Sequence, residues 1–318
     1  MAKHILLVDG NSIAHANHNG AILSVGGFQV QAIFGFLKSM RALLNATPGD
    51  KEIIVLWDGK AQWRLDLYPE YKGNRAPRDA ESEASDQARR KQMPILEKAL
   101  AMLGIKQIRS PLLEADDLAG YFSRTLGLTK QITLVSGDKD WITLVSKNVV
   151  WFDPIRDRRV DLGNLLPFTG YFTTDAYVQG KALTKDVSDN ISGIDGFGDK
   201  TAQLFLAKWQ DVNEFFRQVD GGEYIPAARK DKKAKTPHPE QLLASPEGRA
   251  IFQRNVKLMD LRLSRAPEPG EAQIERGAVN QAGFFQLCER LAFASILRDR
   301  RQFMASFGID LSPEFEPV

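Results

Sequence analysis
The chain is 318 residues long, 43% hydrophobic, and carries a single cysteine. That length and apolar content support one large α/β domain with a smaller appendage, or two modest domains, and the lone Cys288 excludes an intramolecular disulfide and suits a reducing compartment. Lys and Arg total 42 against 40 for Asp and Glu, so the net charge of +2 does not by itself announce a nucleic-acid partner.

The first apolar run, residues 5–8, is ended by Asp9 and is too short for a signal-peptide core. No window is long and apolar enough for a membrane span, so a cytoplasmic protein with no membrane partner is expected. Two further runs, 52–57 and 131–135, share this nearly unbroken apolar character. Such runs suit strands buried on both faces, as in a mainly parallel sheet covered by helices. Between them, residues 31–44 set Ile33, Phe36, Leu37, Met40 and Leu44 on one helical stripe, and 92–103 predict a second helix. The expected fold class is α/β, a mainly parallel central sheet flanked by helices. From 68 to 91 the chain is polar and buries little, as a mobile loop or as an exposed helix that orders on a ligand. Beyond about residue 180 it becomes helical and Gly-punctuated, which predicts a second, smaller module. A Lys-rich run at 229–235 is a solvated loop or a duplex-phosphate contact. Residues 284–297 predict an amphipathic helix packed back on the body, with Cys288 a buried filler. The division is therefore 1–180 with an excursion at 68–92, then 181–283, then 284–318.

The strongest signal lies at the carboxyl end of each strand. Val8 is followed by Asp9-Gly10, Trp57 by Asp58-Gly59, and Ser136 by Gly137-Asp138-Lys139-Asp140. Ligands of parallel α/β sheets bind beyond the carboxyl ends of the strands, so these acids should converge on one edge. Asp-Gly after a strand is also ordinary turn chemistry. Glu114, Asp116 and Asp117 precede an apolar helix, where acids also serve as N-caps. Asp186 and Asp189 are spaced to share one helical face. Acids gathered in one cleft repel unless cations neutralise them, so the metal-free protein should be strained and Asp186→Asn should melt higher than the unmodified protein. All-oxygen ligands select hard ions, Mg²⁺ or Mn²⁺. His4, His15, His18 and His238 lack paired ligand spacing. Two ions about 4 Å apart would suit phosphodiester hydrolysis.

Downstream, residues 193–202 form a Gly-rich hairpin opening into a helix, with Gly193, Gly196, Gly198, Lys200 and Thr201. Such a hairpin either presents N–H groups to a duplex phosphate or is only a tight helix–helix turn. A Cβ at Gly196 is expected to block phosphate approach. Tyr71, Lys72, Arg75 and Arg78, then 89–91, interleave basic groups with an aromatic, as suits a single-stranded tail; 89–91 could equally be a solvated charged face.

In order along the chain stand Leu7-Val8-Asp9-Gly10-Asn11-Ser12, Trp57-Asp58-Gly59, Pro69-Glu70-Tyr71-Lys72-Gly73-Asn74-Arg75, Glu114-Ala115-Asp116-Asp117, Gly137-Asp138-Lys139-Asp140 and Asp186-Val187-Ser188-Asp189-Asn190 with the hairpin. Together, from residue 9 to about 205, they resemble the 5′-nuclease family of phage 5′-3′ exonucleases, flap endonucleases and the N-terminal nuclease domain of bacterial DNA polymerase I. The resemblance implies a PIN-like core with a helix-hairpin-helix module, in which Asp9, Asp58, Glu114, Asp116, Asp138, Asp140, Asp186 and Asp189 hold two Mg²⁺ ions. Asp117 would stand in or just behind that set. It further implies that Lys72 and Arg75 act at the scissile phosphate from an arch threaded by a 5′ single strand. The hairpin would grip duplex DNA, with K⁺ at its carbonyls. The implied substrate is DNA with a 5′ flap or a 5′ end at a duplex junction, or an RNA/DNA hybrid, and the implied state is a monomer. A chain with no polymerase module after Val318 is expected to be a standalone nuclease. A ribonuclease of the related acidic-site class would need the sheet acids but neither arch nor hairpin, and a non-catalytic DNA-binding protein would have an incomplete acid set.

Overall fold
The computed structural model describes residues 3–75, 79–228 and 236–315; Arg78 and the basic run 229–235 lie outside the described residues. Its strands are β1 (His4–Asp9), β2 (Ser24–Val25), β3 (Phe28–Gln29), β4 (Lys51–Trp57), β5 (Lys106–Arg109), β6 (Ile132–Val135), β7 (Val149–Asp153), β8 (Arg158–Val160) and β9 (Gln273–Arg276). Seven of them form one sheet in the order β8-β7-β6-β1-β4-β5-β9, while β2 and β3 form a separate ribbon. β1 lies at the centre, parallel to β4 on one side and β6 on the other, so that Leu7 pairs with both Ile54 and Leu134. β5 and β7 extend the parallel sheet, and β8 and β9 close its two edges in antiparallel fashion. The apolar runs at 5–8, 52–57 and 131–135 are thus the three central strands.

The helices are α1 (Gly10–His18), α2 (Gln31–Ala46), α3 (Gln62–Leu67), α4 (Ala80–Met102), α5 (Ala115–Leu126), α6 (Leu165–Thr169), α7 (Thr174–Leu183) and α8 (Asp199–Trp209). They continue as α9 (Val212–Asp220), α10 (Pro239–Ala244), α11 (Pro246–Met259), α12 (Gln281–Arg290), α13 (Ala294–Arg298) and α14 (Arg300–Ser306). The sheet divides them because strand side chains alternate. Leu6, Val8, Ile53, Val55 and Val135 face a core with α1, α2, α4 and α12–α14. Ile5, Leu7, Ile54, Leu56 and Leu134 share the other core with α5 and with α6–α11. No helix among the described residues is long and apolar enough to cross a membrane.

Two expectations are corrected here. Residues 284–297 form not one helix but α12 and α13, because Ala292 takes a left-handed φ of 54° that ends the first. The 92–103 helix begins earlier, at Ala80, so residues 80–91 of the polar stretch take the exposed-helix alternative and form the first half of α4. Beyond it Gln92, Leu96, Ala99 and Leu100 are buried. Gln92 also clasps the core: its Oε1 accepts the Ala32 N–H at 2.9 Å, and its amide lies 3.2 Å from Nδ1 of buried His18, whose Nε2 is 3.1 Å from Ser85 Oγ. Burial holds the His18 imidazole below its ordinary pKa.

Phe36 of α2 is fully buried and stacks on Trp57, the residue before Asp58, with ring centroids 6.3 Å apart. Phe36→Ala is expected to cost about 3–5 kcal/mol in urea unfolding. A loss under about 1 kcal/mol would mean that the core relaxes freely beneath the site.

Candidate active site
Each strand-end acid is held by a donor from the element that comes next or adjoins it. Asp9 caps α1, its Oδ1 accepting from Ser12 N at 2.9 Å, while Oδ2 accepts from Ser136 Oγ at 2.7 Å. Asp58 accepts the Ala115 N–H at 2.9 Å. Asp138 caps the short 3₁₀ turn Lys139–Leu144 through Asp140 N at 2.8 Å. Glu114 caps α5 in a capping box with Asp117, and Asp116 accepts from Trp141 Nε1 at 2.7 Å. The turn-and-cap explanation of these acids and the shared-edge explanation therefore both hold. Asp9, Asp58, Asp116 and Asp138 line one open cleft of about 400 Å³, joined by Lys72, Arg75 and Arg89.

Asp186 and Asp189 reach the neighbourhood differently from the expectation. They sit not on a helical face but in a turn closed by paired hydrogen bonds between Asp186 and Ile191. Asp186 Oδ1 accepts from Ser188 N at 2.9 Å, Ser188 Oγ at 2.6 Å and Asp189 N at 3.2 Å, bonds that compete with helix formation. Arg75 pairs with Asp189 Oδ1 at 2.5 Å. Lys181, at the end of α7, bridges Asp140 at 2.6 Å and Asp186 at 3.6 Å.

The cations divide the acids into two groups. Arg64, 1% exposed, contacts Glu114 Oε2 and Asp117 Oδ2, each at 2.9 Å, and Lys72 Nζ lies 2.6 Å from Glu114 Oε1. Asp117 is fully buried behind the cleft, where its carboxylate also accepts the Glu114 N–H. Burial opposes ionisation of Glu114, but Lys72 and Arg64 outweigh it and hold the carboxyl below its usual range. Asp186 is likewise lowered, burial being outweighed by Lys181 and Ser188. The cleft acids lack such partners. Burial, then Asp58, lifts Asp9 to about 7; burial, then Asp140, lifts Asp138 to about 8. Asp116 is pushed well above its usual value by burial and Asp138, and Asp58 is raised by the protein around it and by Glu114. Hard oxygen donors that resist ionisation without a cation fit a divalent ion of the Mg²⁺ class. Among the described residues, no three acidic or His side chains are gathered into a finished ion cage; Lys72 and Lys181 stand between them. The expectation of uniform strain fails at Asp186, whose neutralisation would cost stability.

Tyr71 is 5% exposed, its hydroxyl 3.0 Å from Glu114 and 3.1 Å from Asp189, which leaves no ring face for stacking a base. In the hairpin, a Cβ on Gly193 would meet the Thr184 carbonyl carbon at 2.4 Å, and Gly196 combines a φ of +86° with Pro239 only 2.6 Å from its built Cβ. Both glycines are needed by the fold itself. Gly198 is different: it precedes α8 with open space around it, beside exposed Lys200 and Thr201. Gly196 is therefore a poor probe of phosphate approach and Gly198 a clean one.

Sequence reasoning missed Arg64, Lys181 and Ser136. Ser136 directly precedes the Gly137-Asp138 motif, and Lys181 lies on the helix leading to Asp186, so position could have flagged both. Arg64 has no local signal; only the packing of α3 against α5 pairs it with Glu114 and Asp117.

A mainly parallel sheet with helices on both faces and an acidic cleft beyond its strand ends defines the class, an α/β protein with its candidate site at the sheet edge. The chain belongs to the family described as 5′-3′ exonuclease, N-terminal resolvase-like domain, whose model matches residues 4–167. It is 30% identical over 226 residues to the thermostable DNA polymerase I of Thermus filiformis, a match covering 69% of this chain and 25% of that one. It is 28% identical over 312 residues to the corresponding enzyme of Thermus thermophilus, covering 93% and 33%. The chain thus spans a quarter to a third of these curated relatives. Among solved structures, a bacteriophage T5 D15 flap endonuclease pseudo-enzyme–product complex with DNA and metal ions matches with TM-score 0.67 and 21% identity, over 96% of this chain and all of that one. The T5 5′-exonuclease with divalent zinc ions matches with TM-score 0.66 and 25% identity, over 82% and 90%.

A carboxyl whose folded pKa is raised contributes stability that is fully present below its unfolded value near about 4 and is lost as pH rises through its folded value. The values of about 7 for Asp9 and about 8 for Asp138 place that loss around neutrality. In EDTA the melting temperature should fall between about pH 5 and pH 9, and Mg²⁺ should offset the fall. Asp138→Asn, which keeps the oxygen that accepts from Asp140 N, should flatten it. Identical profiles for the two proteins in EDTA would remove Asp138 from the strained set.

Proposed function
We propose that the chain is a structure-specific 5′ nuclease that hydrolyses DNA phosphodiesters at a 5′ flap or at a 5′ end beside a duplex junction. The observation that carries this is the convergence of Asp9, Asp58, Asp116 and Asp138 on one cleft, with Lys72 and Arg75 entering from the base of the 68–92 excursion. Asp9, Asp58, Glu114, Asp116 and Asp138 would hold one part of a two-Mg²⁺ centre, and Asp140, Asp186 and Asp189 the other. Asp117 would orient Glu114 from behind. Ions bound there supply Lewis-acid polarisation of a phosphate and a water nucleophile at neutral pH.

The chain's own residues do the rest. Lys72, whose pKa is raised because Glu114 and Asp116 outweigh the effect of burial, stays an ammonium and offers its charge to a scissile phosphate. Arg75 is exposed enough to exchange Asp189 for a phosphate oxygen and to fix its orientation. Arg89, from the exposed half of α4, also lines the cleft and suits a neighbouring phosphate. The 193–202 hairpin, which opens into α8, offers backbone N–H groups and Lys200 to the duplex, with K⁺ a fitting ion for hairpin carbonyls. The 181–283 span then acts as the duplex-gripping module, although its strand β9 completes the catalytic sheet.

A 5′-labelled flap duplex incubated with and without Mg²⁺ tests the proposal, with a linear RNA alongside; cutting only the RNA would reassign the chain to the ribonucleases. Asp138→Asn with Asp140→Asn should abolish cleavage while duplex affinity in Ca²⁺ persists. Lys72→Ala should slow single-turnover cleavage about 10²-fold; an effect on affinity alone would reduce Lys72 to a phosphate contact. Gly198→Val should weaken duplex binding and lower its salt dependence, and an unchanged salt titration would leave the hairpin as only a turn.

A further inference from the structure
We infer that Asn190 is a positioning residue that fastens the base of the arch to the loop carrying Asp186 and Asp189. Lys72, Arg75 and the loop carboxylates then move as one body. Its consequence for cleavage rests on the nuclease function proposed above; its geometry does not.

The joint is a set of bonds in register between residues 70–75 and 187–190. Asn190 Nδ2 donates to Glu70 O at 2.8 Å, and Lys72 N donates to Asp189 O at 2.9 Å. Asn74 Nδ2 donates to Val187 O at 2.7 Å, and Arg75 Nε to Ser188 O at 3.2 Å. On its far side the loop is closed by Asp186 N to Ile191 O at 2.9 Å and the reciprocal bond at 2.8 Å. Much of the joint reaches solvent, so any single bond competes with water and the register of the set is what holds.

Backbone conformation marks the same place. Asn190 at φ 56° and Lys72 at φ 55° are both left-handed without being glycine, and each donates a bond across the joint, Asn190 to Glu70 O and Lys72 to Asp189 O. Such residues persist where their surroundings over-determine them, and they gather at functional sites. Asparagine tolerates this region better than most side chains. Here it also supplies an amide donor: glycine would fit the backbone without a donor, and aspartate would set an acceptor against the Glu70 carbonyl beside carboxylates already crowded. Asn190 is not among the residues lining the acidic cleft, so it acts through its neighbours, Lys72 and Asp189.

The test uses the full chain with Asn190→Gly, which keeps the backbone and removes the bond. Mn²⁺ binding without DNA, followed by electron paramagnetic resonance, should weaken by about tenfold at the weaker step, the scale for losing an outer-sphere partner. The melting temperature and the Ca²⁺ affinity for duplex should stay near wild type. In single-turnover flap cleavage, Lys72→Ala should cost much less in the Asn190→Gly background than alone, because both changes act through one contact. Full Mn²⁺ affinity with additive rate effects overturns the inference, as does a parallel fall in melting temperature and duplex affinity, which marks a merely structural residue. Asn190→Asp should also weaken Mn²⁺ binding; wild-type behaviour there shows the donor to be dispensable and overturns it too. If the unmodified chain fails to cut any flap, the nuclease function falls while the Mn²⁺ comparison still decides the role of Asn190.

Discussion

Carboxylates crowded at one sheet edge repel one another unless something positive stands among them, and much of this fold is arranged around that fact. Three kinds of compensation are present. Arg64, sealed from solvent, permanently neutralises Glu114 and Asp117. Lys72 and Lys181, only part-buried, neutralise Glu114 and the Asp140–Asp186 pair with side chains long enough to withdraw. Asp9, Asp58, Asp116 and Asp138 have no close cation of their own and respond by holding their protons more tightly. The unbalanced group is where an external cation gains most, so the pattern of satisfied and unsatisfied acids itself points to where the ions belong.

A second economy lies in the caps. A parallel strand that runs into a helix needs an acceptor for the orphan N–H groups of the first turn, and an acid supplies one. Asp9, Glu114 and Asp138 meet that local need, and the need fixes their positions well enough for a shared cleft to form. Ordinary helix-start chemistry thus builds the constellation without separate scaffolding.

The same economy explains what was legible beforehand. The strand-end acids could be read because each is tied to a nearby apolar run, and sheet direction dictates where strand ends gather. The central strands could be read because continuous burial leaves continuous apolar sequence. β5 and β9, Lys-Gln-Ile-Arg and Gln-Ile-Glu-Arg, could not, since each is held by its neighbour rather than by its own hydrophobicity. Asp186 and Asp189 were placed on a helix because their spacing allows it; local side-chain bonds from Ser188 and the Asp189 N–H decided otherwise. Tyr71 looked like an exposed platform for a base because aromatic-basic texture carries no information about depth. Arg64 and Asn190 matter through partners far along the chain, and such pairings become visible only once the chain is folded.

The antiparallel strands at the rims of the sheet carry a further implication. β9 covers the outer edge of β5, and its residues Gln273–Arg276 are themselves exposed and, Ile274 apart, polar. An open edge is a template for strand addition by another chain, and a short polar rim strand blunts it. The segment matched by the family model ends at residue 167, more than a hundred residues before β9. A fragment cut at that point would keep most of the strand-end acids yet leave β5 bare, inviting self-association through the rim. Colloidal behaviour of the acid-bearing sheet is therefore governed by a strand that carries none of the cleft acids.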